Sequence, residues 1–319
     1  MPNVILTLTG SVSDSTLSDG AGNYQFSSLA AGGSYIVTPT KSALTPGSTG
    51  INTVDVIATQ RHFLNIIPLP VGCPRSAADV NGDTAINTVD VIAIQRFFLG
   101  LSTGIANTGK YQFTPSNRSY LAIVSDQTGQ NYDTLVFGDV VSPFAERFDG
   151  PLPSAVDDGG STGDLPAPVA AVALPEVAAD ASRINFTAAV NTSTIDAKDE
   201  LVGFQGDFTF DERVVTFEST PVQKAGITGG NWNVSGNILP GAGPIRTLRV
   251  SAFSNDFTPL SGSGTLFELR LTRVTAAAQG TKLIWAAPPD NFIFIDADLT
   301  MQKPGNAAPG SVTPLRHRR

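Results

Sequence analysis

One cysteine, Cys73, stands alone in 319 residues, so no disulfide can form within the chain. A disulfide-stapled fold is excluded, while export is not. Cys73 lies between Gly72 and Pro74 in an expected loop. It reads there as a small half-buried residue or as one end of a bridge to another chain. Histidine is nearly as scarce, with two. His62 falls in a helical pattern and reads as a packing residue, and His317 falls in the tail. No serine or cysteine sits in a nucleophile motif, and no phosphate loop, dinucleotide fingerprint or zinc-ligand cluster appears. The acidic pairs Asp157-Asp158 and Asp199-Glu200 lie in linker and turn sequence, where solvated charge explains them better than glycoside chemistry. These absences argue against an enzyme.

Basic residues are outnumbered, 20 against 28 acidic, for a net charge of −8. A nucleic-acid binder needs a basic stripe and has none here. An acidic surface suits cation binding and solubility outside the cell. No run approaches the roughly 18 apolar residues of a membrane helix. The start, Met1-Pro2-Asn3, lacks the charged and apolar regions of a signal peptide. What is abundant is glycine, 31, and proline, 22, alongside 41% apolar residues. That mixture predicts a mostly β, multi-domain globular protein with many turns.

Along the chain, residues 1–40 read as a β-sandwich fragment. Val4, Leu6 and Leu8 alternate, and Ser15–Leu17, Tyr24–Phe26 and Tyr35–Val37 follow between glycine turns. Residues 41–102 hold an internal repeat: Ile51–Leu64 and Ile86–Leu99 differ only at Thr59/Ile94 and His62/Phe97. Each unit predicts a loop and then a short helix capped by Asn52 or Asn87. Val54, Ile57, Leu64, Val89, Ile92, Phe97 and Leu99 are expected to pack the two helices on each other. Residues 103–148 read as a β-rich extension, with strands at Tyr111–Phe113, Tyr120–Val124 and Thr134–Val140. Residues 149–168 have linker composition. Residues 169–301 predict a two-sheet sandwich: Phe204, Phe208 and Phe210 alternate with Gln205, Asp207 and Thr209, and Leu248, Val250 and Ala252 with Arg249 and Ser251. Phe267, Leu269 and Leu271 alternate with Glu268, Arg270 and Thr272 in the same way. Each such strand should bury one face. The tail, 302–319, is expected to be solvated.

The chemistry concentrates in Asp79–Asp90. Oxygen side chains occupy loop positions 1, 3, 5, 9 and 12 of that segment, Asp79, Asn81, Asp83, Asn87 and Asp90. Calcium takes six to eight oxygens, and one short loop can supply them by alternating donors and closing with a carboxylate on the next helix. Ala85 would add its carbonyl, and Ile86 would anchor the loop to the core. A polar turn capping a helix is the plainer alternative. In the first repeat Leu44, Pro46 and Ser48 stand where Asp79, Asn81 and Asp83 do, leaving Asn52 and Asp55. That loop is expected to hold no metal.

Aspartate at position 12 and the paired loop–helix units resemble a dockerin, the calcium-dependent docking module of bacterial cellulosomes. The resemblance implies one Ca2+ and a protein partner contacting Thr88, Val89, Gln95 and Arg96, with Thr53, Val54, Gln60 and Arg61 from the other repeat. A solvated helix face would explain Gln and Arg equally. Leu201–Asp211, Val214–Glu218, Leu248–Phe253 and Gly264–Leu271 resemble a cohesin, the jelly-roll receptor of dockerins. Residues 18–37 resemble the carboxypeptidase-regulatory, transthyretin-like stalk sandwich, which runs nearly twice as long. These resemblances imply a non-catalytic assembly protein, extracellular or on a bacterial surface. A chain with both docking module and receptor could join to its own copies, or the two modules could pack within one chain. A carbohydrate-binding adhesin or a cell-surface spacer is the alternative, with Trp232 and Trp285 the available aromatic platform.

Overall fold

The computed structural model describes residues 1–48, 50–141, 169–179, 184–274, 279–288 and 290–314. The linker, Asp157-Asp158 and His317 fall outside them. The protein is mostly β, as expected.

Strands β1 (Ile5–Gly10), β2 (Asp14–Leu17) and β3 (Tyr35–Thr40) build the N-terminal sheet. Leu6 and Leu8 point to one side with Val4, and Tyr35 and Val37 join them as a small core. Helix α1 (Thr53–Phe63) follows, then α2 (Cys73–Ala78) and α3 (Thr88–Phe98). Beyond them lie β4 (Tyr111–Thr114), β5 (Arg118–Tyr120) and β6 (Asp133–Val136). The extension divides between its neighbours. Strand β5 completes the N-terminal sheet in the order β2-β1-β3-β5, and β4 pairs with β6. Phe113, Tyr120 and Tyr132 cover the N-terminal core, while Val136 and Val140 enter the core of the helix pair. Tyr24–Phe26, predicted as a strand, belongs to none.

Both repeat helices start as the sequence dictates. The Asn52 side chain accepts the Val54 amide at 2.7 Å, and Asp55 accepts the Asn52 amide at 2.9 Å. Asn87 and Asp90 repeat the arrangement at 2.8 and 2.9 Å. Such reciprocal caps satisfy amides that the first helical turn leaves free. Cys73 is corrected: it opens α2 and is exposed, not half-buried in a loop.

The C-terminal sandwich comprises β7 (Val172–Ala173), β8 (Glu176–Ala179), β9 (Asn185–Ile195), β10 (Leu201–Asp211), β11 (Val215–Lys224), β12 (Trp232–Ile238) and β13 (Ile245–Ser254). It continues with β14 (Gly262–Arg273), β15 (Thr281–Trp285), β16 (Ile293–Asp296), β17 (Met301–Gln302), β18 (Ala307–Ala308) and β19 (Gly310–Pro314). One sheet runs β12-β13-β10-β15-β19-β8, and the other β11-β14-β9-β7-β18. Phe204, Phe208, Phe267, Leu269, Leu271, Leu248 and Val250 fill the space between them. The solvated-tail expectation is overturned for residues 302–314, which reach both sheets. Strand β18 pairs in parallel with β7, and β19 lies between β15 and β8.

One departure matters for function. Strands β10 and β13 bury both faces: Gln205, Asp207, Arg249 and Ser251, read as a solvent face, are all buried. The helix pair lies over them, and Val202, Phe253 and Ile295 share a core with Ile57 and Ile94.

Candidate metal loop and docking interface

The second loop folds around its own carboxylates. Asp79 accepts the amides of Gly82 at 2.9 Å, Asp83 at 3.2 Å and Thr84 at 3.0 Å. Asn81 accepts the Asp83 amide at 2.9 Å, and Asp83 accepts the Ala85 amide at 2.8 Å. Gly82 (φ 73°) and Thr84 (φ 72°) take the left-handed conformation that coils the loop, the former at no steric cost. Asp90 Oδ1 accepts the Asn81 amide at 3.3 Å across the loop, and Asn87 reaches the Ala85 carbonyl at 3.3 Å. Ile86 packs into the helix-pair core.

Burial pushes the Asp90 carboxyl above its ordinary range. The amides of Asn87 and Asn81 pull it back, and the charges of Asp79 and Asp83 add to the rise. Among the described residues, no three His, Cys, Asp or Glu side chains form a metal cluster by themselves. The donor set of this loop is mixed: three carboxylates, two amide oxygens and a carbonyl, all hard oxygens of the kind calcium takes.

The first loop is built differently. Leu44 packs beside the helix-pair core, and its amide donates to the Gly109 carbonyl at 2.9 Å. Asp55, the counterpart of Asp90, is buried, and its Oδ1 accepts the amides of Val140 at 2.8 Å and Val141 at 3.2 Å. Burial pushes this carboxyl up to about 6, against the pull of those amides and that of Asn52. The carboxylate equivalent to Asp90 is thus engaged by main-chain amides from outside its own loop.

The expected partner residues divide sharply. The Thr53 amide donates to the Gln205 side chain at 2.9 Å, and the Thr53 and Ser251 hydroxyls are hydrogen-bonded at 2.9 Å. Gln60 donates to the Ser254 carbonyl at 2.9 Å, and Arg61 to the Ala297 carbonyl at 2.8 Å. Gln95 donates to the Asn233 side chain at 3.1 Å, and Val54 is buried in the shared core. These residues face the chain's own sandwich. Thr88 and Val89 are exposed, and Arg96 turns back to the Thr103 carbonyl at 2.7 Å. Val89 and Ile92, expected between the helices, are corrected to solvent-facing positions. His62 accepts the Leu69 amide at 3.1 Å and so fixes the loop after α1.

Sequence reasoning missed the centre of this interface. Arg249 grips Asp207 with two bonds of 2.8 Å, both residues buried. Its remaining nitrogen donates to the Gly47 carbonyl at 2.8 Å and the Phe98 carbonyl at 3.1 Å. The guanidinium also lies 4.7 Å from the Phe98 ring centroid. One planar cation thus binds a sandwich carboxylate, the first repeat loop and the end of α3, a geometry suited to arginine. Burial pushes Asp207 up even so, against the pull of Arg249. Asn237 adds a bond to the Leu99 carbonyl at 2.9 Å. The only signal in the sequence was Asp207 and Arg249 at alternating positions of apolar strands.

Trp232 is buried and stacks on Phe204, while Trp285 meets Phe208 edge-on, so both are used in packing. Among the described residues, no helix is long and apolar enough to cross a membrane.

No family model and no curated protein matches the chain. Solved structures similar to it are cohesin modules. The sixth cohesin of scaffoldin B from Acetivibrio cellulolyticus, solved with a Cel5 dockerin mutant, is 15% identical; the match covers 46% of this chain and 99% of that one, with a TM-score of 0.37. A non-cellulosomal cohesin from the archaeon Archaeoglobus fulgidus is 16% identical over 46% of this chain and 91% of its own, with a TM-score of 0.30. A cohesin module from a Clostridium perfringens family 33 glycoside hydrolase is 10% identical over 47% and 100%, with a TM-score of 0.35.

Proposed function

We propose that this is a non-catalytic assembly protein of a bacterial surface, in which a calcium-stabilised, dockerin-like helix pair docks on a cohesin-like sandwich of the same chain. The observation that supports it most is the burial of Thr53, Gln60 and Gln95 against β10 and β13 around Arg249. Calcium's part is to neutralise Asp79, Asp83 and Asp90 when bound, so that folding of the helix pair and ion binding share one free energy. The tether makes docking within a chain unimolecular and favours it over docking between chains at low concentration. At high concentration the same surfaces would join one copy's helix pair to the next copy's sandwich, and a head-to-tail contact that does not close grows into a filament. The carbohydrate-binding alternative loses its aromatic platform, because Trp232 and Trp285 are packed.

Light scattering and amide exchange on the full chain test this reading. In calcium at micromolar protein the expected result is a monomer with protected amides in α1 and α3. Chelation should expose those amides, and concentration in calcium should yield oligomers that dissolve in chelator. Helix amides indifferent to calcium, or a monomer at every concentration with glycan binding, would sink the proposal.

A further inference from the structure

Strand β10 turns Gly203, Gln205 and Asp207 towards the helix pair: Gln205 meets Thr53, Asp207 holds Arg249, and Gly203 lies against Ile57. Glycine weakens a strand, so one inside a long strand marks a place where another group comes close. The backbone does not require it here, because Gly203 is outside the left-handed region. The requirement is space. A Cβ on Gly203 would stand 2.4 Å from Ile57 Cδ1, 3.0 Å from the Ala252 carbonyl oxygen and 3.5 Å from Ile57 Cγ1. Carbon atoms rest at about 3.5–4.0 Å. Of the isoleucine, only the last carbon occupies the place of the missing side chain.

Ile57 is fully buried, and polar contacts flank it. Thr53, four residues before it, and Gln60, three after it, lie on the same helix face. Thr53 is bonded to Gln205 and Ser251, and Gln60 to the Ser254 carbonyl. An apolar knob in a dry pocket, ringed by contacts that exclude water, is where an interface concentrates its energy. Hydroxyls and main-chain carbonyls accept many donors, whereas a socket of one missing side chain is set by shape.

We propose that Gly203 is the specificity-determining residue of the docking surface. Its missing side chain is the socket for one aliphatic Cδ, and the sandwich selects a helix that carries Thr, Ile and Gln in the spacing of Thr53, Ile57 and Gln60. A sandwich with a Cβ at this position rejects that helix, whether it comes from the same chain or from another copy. The inference rests on the docking reading above and names what that surface selects.

The test is an exchange of sizes on the full chain in saturating calcium. Amide exchange is read in α1 and, as a check on the sandwich, in β9 and β14 of the far sheet. Gly203→Ala should speed exchange in α1 by about tenfold to hundredfold, the usual effect of overfilling a packed site. Ile57→Val deletes Cδ1 and no other atom, and should speed it only severalfold. The two together should exchange about tenfold more slowly than Gly203→Ala alone, because the added Cβ takes the vacated place. Strands β9 and β14 should keep wild-type exchange throughout. If Gly203→Ala loosens them as well, Ile57→Phe overfills the socket from the helix side and should give the same gain in α1 with the sandwich intact. Additive effects in the double variant, or wild-type exchange in α1 of Gly203→Ala or Ile57→Phe, would overturn the proposal. Arg249→Met/Asp207→Leu separates it from the reading beneath it. Loosening of α1 there but not in Gly203→Ala removes the socket and keeps docking, whereas α1 unmoved in both removes docking itself.

Discussion

Residues 51–64 and 86–99 share twelve of fourteen positions and the same capped helix, yet the molecule uses them in opposite ways. In the first repeat the helix faces inward. Ile57 is fully buried and packs where a side chain on Gly203 would collide with it, and Thr53 and Val54 are buried as well. Their twins Ile92, Thr88 and Val89 face water, with Ile92 37% and Val89 57% exposed. The loops reverse the pattern. The first is locked to the protein by the Val140, Val141 and Arg249 bonds, while in the second the carboxylates of Asp79, Asp83 and Asp90 accept amides of their own loop. Nearly identical local sequence therefore gives the same capped helix, while the neighbours decide which face carries energy and each loop's own residues decide its charge.

The comparison can be broken most severely at the residue that touches both repeats. Arg249→Met should cost about 3–5 kcal/mol, because Asp207 is left buried without its partner. Urea unfolding of that variant beside the double variant Arg249→Met/Asp207→Leu, which should recover much of the loss, checks it. Next comes the twin pair. Ile57→Ala should destabilise by about 2–5 kcal/mol and Ile92→Ala by less than about 1, since only the first leaves a cavity. Equal losses in thermal unfolding would mean that the two faces are equivalent after all.

The aspartates sharpen the contrast through pH. The folded-state value for Asp55, about 6, lies above the ordinary 3.8. The folded protein therefore holds that proton more tightly, a stabilisation present in full below pH ~4 and lost as pH rises through 6. Between pH 7.5 and pH 4, in saturating calcium, wild type should gain about 3 kcal/mol on Asp55→Asn. A constant gap across that window would place the Asp55 carboxyl in water. Smaller again is the hydroxyl pair: Thr53→Ala should cost about 1 kcal/mol for the bond to Ser251, and Thr88→Ala close to nothing. Last is a predicted null result. Leu44→Asp, Pro46→Asn and Ser48→Asp together should leave calorimetric calcium stoichiometry at one per chain, because amides and Arg249 already occupy the first loop's position. A second site appearing would show that side chains alone had silenced it.

Much of this was legible from residue order. The Asn52 and Asn87 caps, the oxygen spacing of Asp79–Asp90 and the alternation of the sandwich strands are short-range patterns, set by the reach of a side chain along its own backbone. The strand assignment for Tyr24–Phe26 failed for a related reason. Alternation there marks one side chain in and one out, and strand status needs a neighbouring strand, which none of the described residues provides. Residues 302–314 misled in the opposite sense, since glycine and proline suggested a free end and pairing across the whole domain supplied strands.

By itself the sequence determined the capped repeat helices, the alternation of the long sandwich strands and which loop has the oxygen donors a hard cation needs. Only the tertiary structure decided that Gln205, Asp207, Arg249 and Ser251 lie inside rather than out, and that Thr53, Val54 and Ile57 are buried while their twins Thr88, Val89 and Ile92 face water. Alternating polar residues look the same whether water or another module covers them. Burial of a polar face depends on a partner surface more than a hundred residues away, and local periodicity carries no record of it.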